Sequence, residues 1–417
     1  MNKVMHPTKP MLSVSDALDF LLSAARPVRE REIIPTIEAN GRVLSTEQSS
    51  LINVPPMDNT QMDGYAVREV DCAGGAVKLE VTQRIPAGRI GTPLQPGTAA
   101  RIFTGATIPE GADAVVMQEM CEAVTEGGKD YVTVKHTAQA GEWIRRAGED
   151  IRAGSTILEA GTRLRAQELG LAASVGLSTL PVFRKLRVAI FFTGDELAMP
   201  GDELKPGAIY NSNRFSLRGL LENLDCDITD YGIVPDTLEA TRATLREAAQ
   251  QHDLIITSGG VSVGEEDYVR PAVEAEGRLT MWQVAMKPGK PLAFGEVNRA
   301  GADGGAYFLG LPGNPVSSFV TFLLFVRPFL LRLQGVRDVT PRSFAMRADF
   351  ELPKGDRRNE FLRTRINASG GLDLFANQGS GVLTSTVWGD GLIDNPPGRS
   401  IAAGDTVRFI PFSELLH

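Results

Sequence analysis

The spacing of apolar and polar residues changes character along the chain. Residues 11–25 (MLSVSDALDFLLSAA) carry apolar positions at helical spacing, with Leu18, Leu21 and Leu22 on one stripe and Ser13 or Ser15 placed to cap the first turn. From there to about residue 145 the pattern is short and broken by Gly and Pro. Runs of β type at 77–83, 99–104, 114–117 and 131–135 predict a small β-rich unit. Helical spacing returns at 165–178, where Leu169, Ala172 and Ala173 share a face.

A different rhythm begins near residue 186. Continuous apolar strands are expected at 186–192, 228–234, 253–257 and 306–311, with helices over 213–224, 238–250, 267–276 and 315–334. Two further β runs, 281–286 and 291–296, precede the last of these strands. Strands apolar throughout and alternating with helices predict a doubly wound parallel sheet covered on both faces. Beyond residue 340 the long helical pattern stops. Short alternations at 344–350, 361–366 and 406–411 predict a small β barrel or sandwich.

Composition narrows the function classes. The chain has 417 residues, 42% hydrophobic and 23% charged, which excludes a disordered polymer. Its net charge of −8 and lack of a basic run argue against a nucleic-acid-binding face, and no nucleic-acid partner is expected. Cys72, Cys121 and Cys226 are far apart, and His6, His136, His252 and His417 form no metal-binding spacing. A zinc site and a disulfide framework are therefore not expected, and a reducing compartment is. No signal peptide is read at the start. The most apolar stretch, 319–326, is too short to cross a ~30 Å hydrocarbon layer, so the expectation is a soluble, cytoplasmic protein without a membrane partner.

Composition also supplies 43 glycines and 25 prolines, and their clusters mark the ends of the expected parallel strands. The first strand runs into TGDEL, the third into TSGGVSVGEEDY and the last into LPGNPVSS. In open α/β sheets ligands bind beyond the carboxyl ends of the strands, and amides beside a helix N-terminus suit phosphate. Ser258, Gly259, Gly260, Pro312, Gly313, Asn314 and Ser317 are thus candidate phosphate-cradling residues; each cluster read alone is equally a βα turn. Glu196, Asp236 and Asp267 follow strand ends. Carboxylates beside a phosphate cradle call for a hard cation such as Mg²⁺, although each acid taken singly also fits a helix cap. MKPGKP holds Lys287 and Lys290 around a Pro-Gly turn, a compact pair of charges for an oxyanion or else a solvated surface turn. In the β-rich region Asp63 precedes Gly64 in a tight turn, among loops rich in Asp, Gly and hydroxyl residues.

MDGYAV, RIFTGA, GADAVVMQE, RRAGEDI, TGDEL, IYNSN, SGGVSVGEEDY, MKPGKP and LPGNPVSS occur in this order, and in this respect the chain resembles the MoeA-type molybdopterin molybdenumtransferases, whose fold also forms the E domain of gephyrin. The resemblance runs from about residue 11 to the C-terminus. It departs from the common family pattern at Thr60, Gln61 and 389–392.

The resemblance implies insertion of molybdenum from molybdate into adenylylated molybdopterin, with release of AMP, by a Mg²⁺-dependent homodimer whose cleft lies between subunits. It implies a discontinuous linking domain (1–50 with 146–180), a β-rich domain (51–145), a molybdopterin-binding α/β domain (181–335) and a C-terminal β domain (336–417). It gives Glu196, Asp236 and Asp267 to Mg²⁺ and phosphates, and Lys287 and Lys290 to phosphates and molybdate. Arg363 and Ser380 match positions linked with molybdate, and Asp63, Thr104 and Asp150 match positions needed for activity. Expected protein partners are a molybdopterin adenylyltransferase and the molybdoenzymes or their chaperones. Two other readings remain at this point: a molybdopterin adenylyltransferase, normally a short single-domain chain, and a gephyrin-like scaffold.

Overall fold

The computed structural model describes residues 11–261, 268–301 and 304–416. Its centre is a six-stranded sheet in the order Asp227–Ile233, Arg187–Phe192, Leu254–Ser258, Gly305–Leu311, Pro291–Asn298, Gly277–Gln283. The first four strands are parallel, and Pro291–Asn298 runs antiparallel to both of its neighbours, so the sheet is mixed. Strand Gly277–Gln283 pairs with Pro291–Asn298 as a hairpin around the lysine turn, a connection too short for a parallel crossover.

The apolar strands are explained by burial on both faces. Along Arg187–Phe192, Val188, Ile190 and Phe192 enter one core, while Ala189 and Phe191 enter the other. Helices Leu238–Gln251 and Val269–Glu276 cover the second face through Leu245, Ala248, Ala272 and Val273. The first face is covered by Ser212–Asn223 and by a 19-residue helix, Pro315–Leu333. That long helix is apolar enough to cross a membrane, but 83% of its most apolar window is buried in the protein core. A π turn at Phe322–Val326 precedes Pro328, whose missing N–H cannot continue the α-helical ladder.

Helix Val14–Ala24 also packs here. The resemblance places it within the linking segment 1–50, and its Ala17 and Leu21 are buried in the core of the α/β unit. Phe20 lies edge-on to Phe294 at 6.1 Å, and Leu12 N–H donates to the Gln283 carbonyl.

The linking unit is built from two chain segments. Arg31–Pro35 pairs with Thr179–Phe183 and Gln48–Ser49 with Thr156–Leu158, around Leu44, Leu158, Leu164, Ala172 and Val182. Between these segments lies the β-rich unit, a six-stranded sheet in the order Ala114–Met117, Gly64–Val67, Thr98–Ile102, Val77–Ile85, Lys129–Val134, Cys121–Glu126.

The C-terminal sheet follows the order Met286–Lys287, Asn359–Ile366, Gly391–Asn395, Thr406–Pro411, Phe344–Arg347. Its alternation separates two cores. Leu362, Ile393 and Phe409 face a local core, whereas Phe361, Leu392 and Ile410 join the core of the α/β unit. The first strand of this sheet comes from the lysine turn, so the turn belongs to both units.

Candidate active site

The parallel strand order places Arg187–Phe192 between the second and third strands, so the winding reverses in the gap between it and Leu254–Ser258. Phe192 and Ser258 stand opposite each other at the carboxyl ends bordering that gap. A crevice at this switch point is the expected ligand site of an open α/β sheet.

Three loops meet there, and they meet closely. A side-chain carbon on Gly260 would lie 2.9 Å from Thr193 Oγ1, and one on Gly259 would lie 3.1 Å from the Thr193 carbonyl oxygen. Gly259 and Gly260 have positive φ, +97° and +64° respectively, which L side chains rarely adopt. Ser258 Oγ donates to the Pro312 carbonyl at 2.9 Å, and Asn213 Nδ2 donates to both Ser258 Oγ and the Gly313 carbonyl at 2.8 Å. Asn213 thus ties the third strand end to the start of helix Pro315–Leu333. Ser317 is buried in the first turn of that helix. Ser380 reaches it through the main chain: its carbonyl accepts from the Val316 N–H at 2.9 Å.

Glu196 is exposed and folds back over Gly194, where an added side-chain carbon would lie 2.7 Å from its carboxylate. Asp236 sits, half-buried, at the end of the second strand. Asp267 lies outside the described residues. Among the described residues no cluster of three His, Cys, Asp or Glu side chains is assembled. Mg²⁺ keeps one or two carboxylates and takes its remaining ligands from water and substrate phosphates, and Glu196 and Asp236 are the described carboxylates that could serve it.

The predicted cations differ in availability. Lys290 is exposed. Lys287 is engaged: its Nζ lies 3.1 Å from Glu360 and 3.6 Å from Asp356, both on the C-terminal unit. Arg363 is 1% exposed, and among the described residues its guanidinium donates to neutral acceptors, Ser385 Oγ and the Phe361 and Gly379 carbonyls. Burial pulls its guanidinium down to about 10. Its contacts hold the loop that carries Ser380, so in this chain it positions main chain and offers no exposed charge.

A second group lies in the β-rich unit. Asp63 Oδ1 accepts from both the N–H and the hydroxyl of Thr104 at 2.7 Å, and these bonds hold its carboxyl below the usual range. Asp58 accepts from the Ala147 N–H and from Arg146 at 2.7 Å. Asp150 is exposed, with its N–H bonded to the Val54 carbonyl. No hydrogen bond or ion pair among the described residues joins Asp63, Thr104 or Asp150 to the switch-point loops. The predicted set therefore falls into two groups within one chain.

Comparison with known proteins decides the family. Profiles described as the MoeA N-terminal region (domain I and II), a probable molybdopterin binding domain and the MoeA C-terminal region (domain IV) match residues 12–176, 189–332 and 345–412. A molybdopterin molybdenumtransferase of Haemophilus influenzae is 38% identical over 97% of this chain and 100% of its own length. The chain belongs to the MoeA family of molybdopterin molybdenumtransferases. A family member from Nostoc is 37% identical over 90% of this chain and 87% of its own. The crystal structure of a molybdopterin biosynthesis MoeA protein from Pyrococcus horikoshii, 28% identical, superposes with a TM-score of 0.82 over 96% of this chain and 100% of that one.

Within this family frame, two features escaped the sequence reading. Asn213 lies in the IYNSN motif but was not singled out, because its role depends on two loops 45 and 100 residues away. The carboxylates holding Lys287 are equally remote: Glu360 is 73 residues away.

Proposed function

We propose that this protein transfers molybdenum from molybdate to adenylylated molybdopterin, releasing AMP and leaving molybdenum cofactor. The observation that carries the reading is the switch-point cradle, where Ser258, Gly259, Gly260 and Gly313 converge under the clamp of Asn213. Close-approaching glycines and a helix N-terminus suit the phosphates of the pterin adduct. Glu196, Asp236 and Asp267 would hold Mg²⁺ together with those phosphates, and the ion would neutralise their charge. Lys290 faces the incoming dianion. The rate gain comes from positioning and charge compensation around the anhydride that joins pterin and AMP.

Asp63, Thr104 and Asp150 serve the same reaction from the partner subunit of a homodimer. This explains why the two groups of predicted residues are not joined within one chain. A cytoplasmic setting fits the free thiols Cys72, Cys121 and Cys226. A molybdopterin adenylyltransferase upstream and molybdoenzymes or their chaperones downstream are the protein partners this chemistry requires.

The test is AMP release from adenylylated molybdopterin with Mg²⁺, with and without molybdate. Release that requires molybdate supports the transferase; release unaffected by molybdate rejects it. No turnover at all favours a scaffold.

A further inference from the structure

The turn that presents Asp63 is held from two sides. On one side Thr104 binds the Asp63 carboxylate. On the other, three hydrogen bonds tie down the main chain. The Gln118 N–H donates to the Asp63 carbonyl at 3.1 Å, Arg101 Nη1 to the Gly64 carbonyl at 2.9 Å, and Arg101 Nη2 to Gln118 Oε1 at 2.6 Å. Two consecutive carbonyls are thus fixed by two residues that also bind each other. A side-chain carbon on Gly64 would lie 2.0 Å from the Val116 carbonyl oxygen, so the main chain there is pressed against the neighbouring strand.

Arg101 is fixed in turn by aromatic rings. Tyr65 and Arg84 stand opposite it, one on each neighbouring strand. Its guanidinium lies 5.2 Å from the Tyr65 ring centre and 4.6 Å from that of Phe103, and Arg84 lies 4.5 Å from the same Phe103 ring. Like charges opposite each other on adjacent strands repel, and the shared ring offsets this by attracting both.

Both arms of the Arg101 fork go to uncharged acceptors, so what it supplies here is geometry. A planar guanidinium fixes two acceptors in one plane, which a lysine ammonium does not. Strand Thr98–Ile102 carries Arg101 and runs directly into Phe103 and Thr104. One segment therefore grips the Asp63 turn by its side chain and by its main chain. Behind the Thr104 bonds, the Arg101 charge also helps to hold the Asp63 carboxyl below the usual range.

We propose that Arg101 is a positioning residue for Asp63: its fork on the Gly64 carbonyl and Gln118 sets where the Asp63 carboxylate stands when it meets the reacting ligand. This rests on the proposed molybdenum transfer, in which Asp63 and Thr104 serve the cleft of the partner subunit. Arg101 acts through Asp63 and needs no contact with substrate. A misplacement of about 1 Å at a reacting group can cost on the order of a hundredfold in rate, so a fork that fixes the turn has a kinetic consequence.

Arg101→Lys in the full-length protein tests this, because it keeps the charge and loses the fork. Amide exchange followed by mass spectrometry should quicken about tenfold at Thr104 and Gln118, the scale of one lost hydrogen bond to a charged donor. Exchange in strands Val77–Ile85 and Lys129–Val134 should stay at the wild-type rate. The kcat for AMP release should fall about tenfold or more, with KM for the pterin adduct within about twofold of wild type. In an Asp63→Asn background the same substitution should lower kcat by less than about twofold, because the two residues act as one unit. Unchanged exchange at both amides would overturn the proposal, and so would kcat losses that multiply in the double variant. If wild-type AMP release ignores molybdate or does not occur, the transfer reading fails, while exchange still decides whether Arg101 holds the Asp63 turn.

Discussion

Asn213 holds Ser258: its Nδ2 donates to Ser258 Oγ over 2.8 Å, and the same group reaches the Gly313 carbonyl. One side chain thus sets the spacing between the third strand end and the last helix. Asn213→Ala should cost about 1–2 kcal/mol of stability, the usual penalty for a lost side-chain hydrogen bond and an orphaned partner. Its larger effect should be on kcat/KM for the pterin adduct. Urea unfolding and AMP-release kinetics measure the two separately. An activity loss no greater than the stability loss would show that the clamp has no role in substrate positioning.

Lys287 and Lys290 share one motif but should behave differently. Lys287→Ala removes a partner from Glu360, which is 3% exposed, and should lower stability by about 1 kcal/mol, since the lysine itself is partly solvated. Lys290→Ala should leave the melting temperature within about 1 °C, because isolated surface charges contribute little. It should instead raise the molybdate requirement. Thermal unfolding of both variants distinguishes the roles, and equal destabilisation would contradict this division.

Gly260 stands at φ +64°, with space for a side chain closed off by Val269 at 2.6 Å and Thr193 at 2.9 Å. Gly260→Ala should cost more than about 1 kcal/mol through strain and displace the cradle. Affinity for the pterin adduct should fall while the β-rich and C-terminal units keep their folds. Titration calorimetry checks the first and circular dichroism the second; wild-type affinity would show that the cradle tolerates a side chain and is not a close-contact surface.

Asp63 bears on pH dependence. The Thr104 N–H and hydroxyl lower its carboxyl, so the ionised form is fully present above the ordinary carboxylate value of about 3.9 and is lost only as pH falls through the lowered value. Any fall in activity between about pH 7 and 5 must therefore come from another group. Asp63→Asn keeps an acceptor for Thr104 but removes the charge. It should lower kcat/KM at least about tenfold with the acid limb of the pH profile unmoved. A shifted limb would mean that Asp63 titrates in that range.

Much of this architecture was legible because it rests on local rhythm. The run 186–192 reads as a strand buried on both faces because alternate residues enter different cores. The Gly-rich strand ends pointed to the switch point because close approach and positive φ leave a composition signal. What the sequence hid was long-range. The packing of helix Val14–Ala24 on the α/β unit joins Ala17 and Leu21 to residues more than 150 positions along the chain, such as Val188 and Phe329. The resemblance links Arg363 with molybdate, and only the tertiary structure shows it enclosed by Ser385 and main-chain carbonyls. The pairing of Lys287 with Glu360 arises from a strand shared between units, which no local pattern announces.

The most direct test of the central claim is a stoichiometry. Purified protein, adenylylated molybdopterin, Mg²⁺ and molybdate are incubated, and AMP and molybdenum-bearing pterin are quantified together by chromatography with elemental detection. Equal amounts of both, appearing together and only with molybdate present, are the predicted result. AMP released without molybdenum entering the pterin would contradict it.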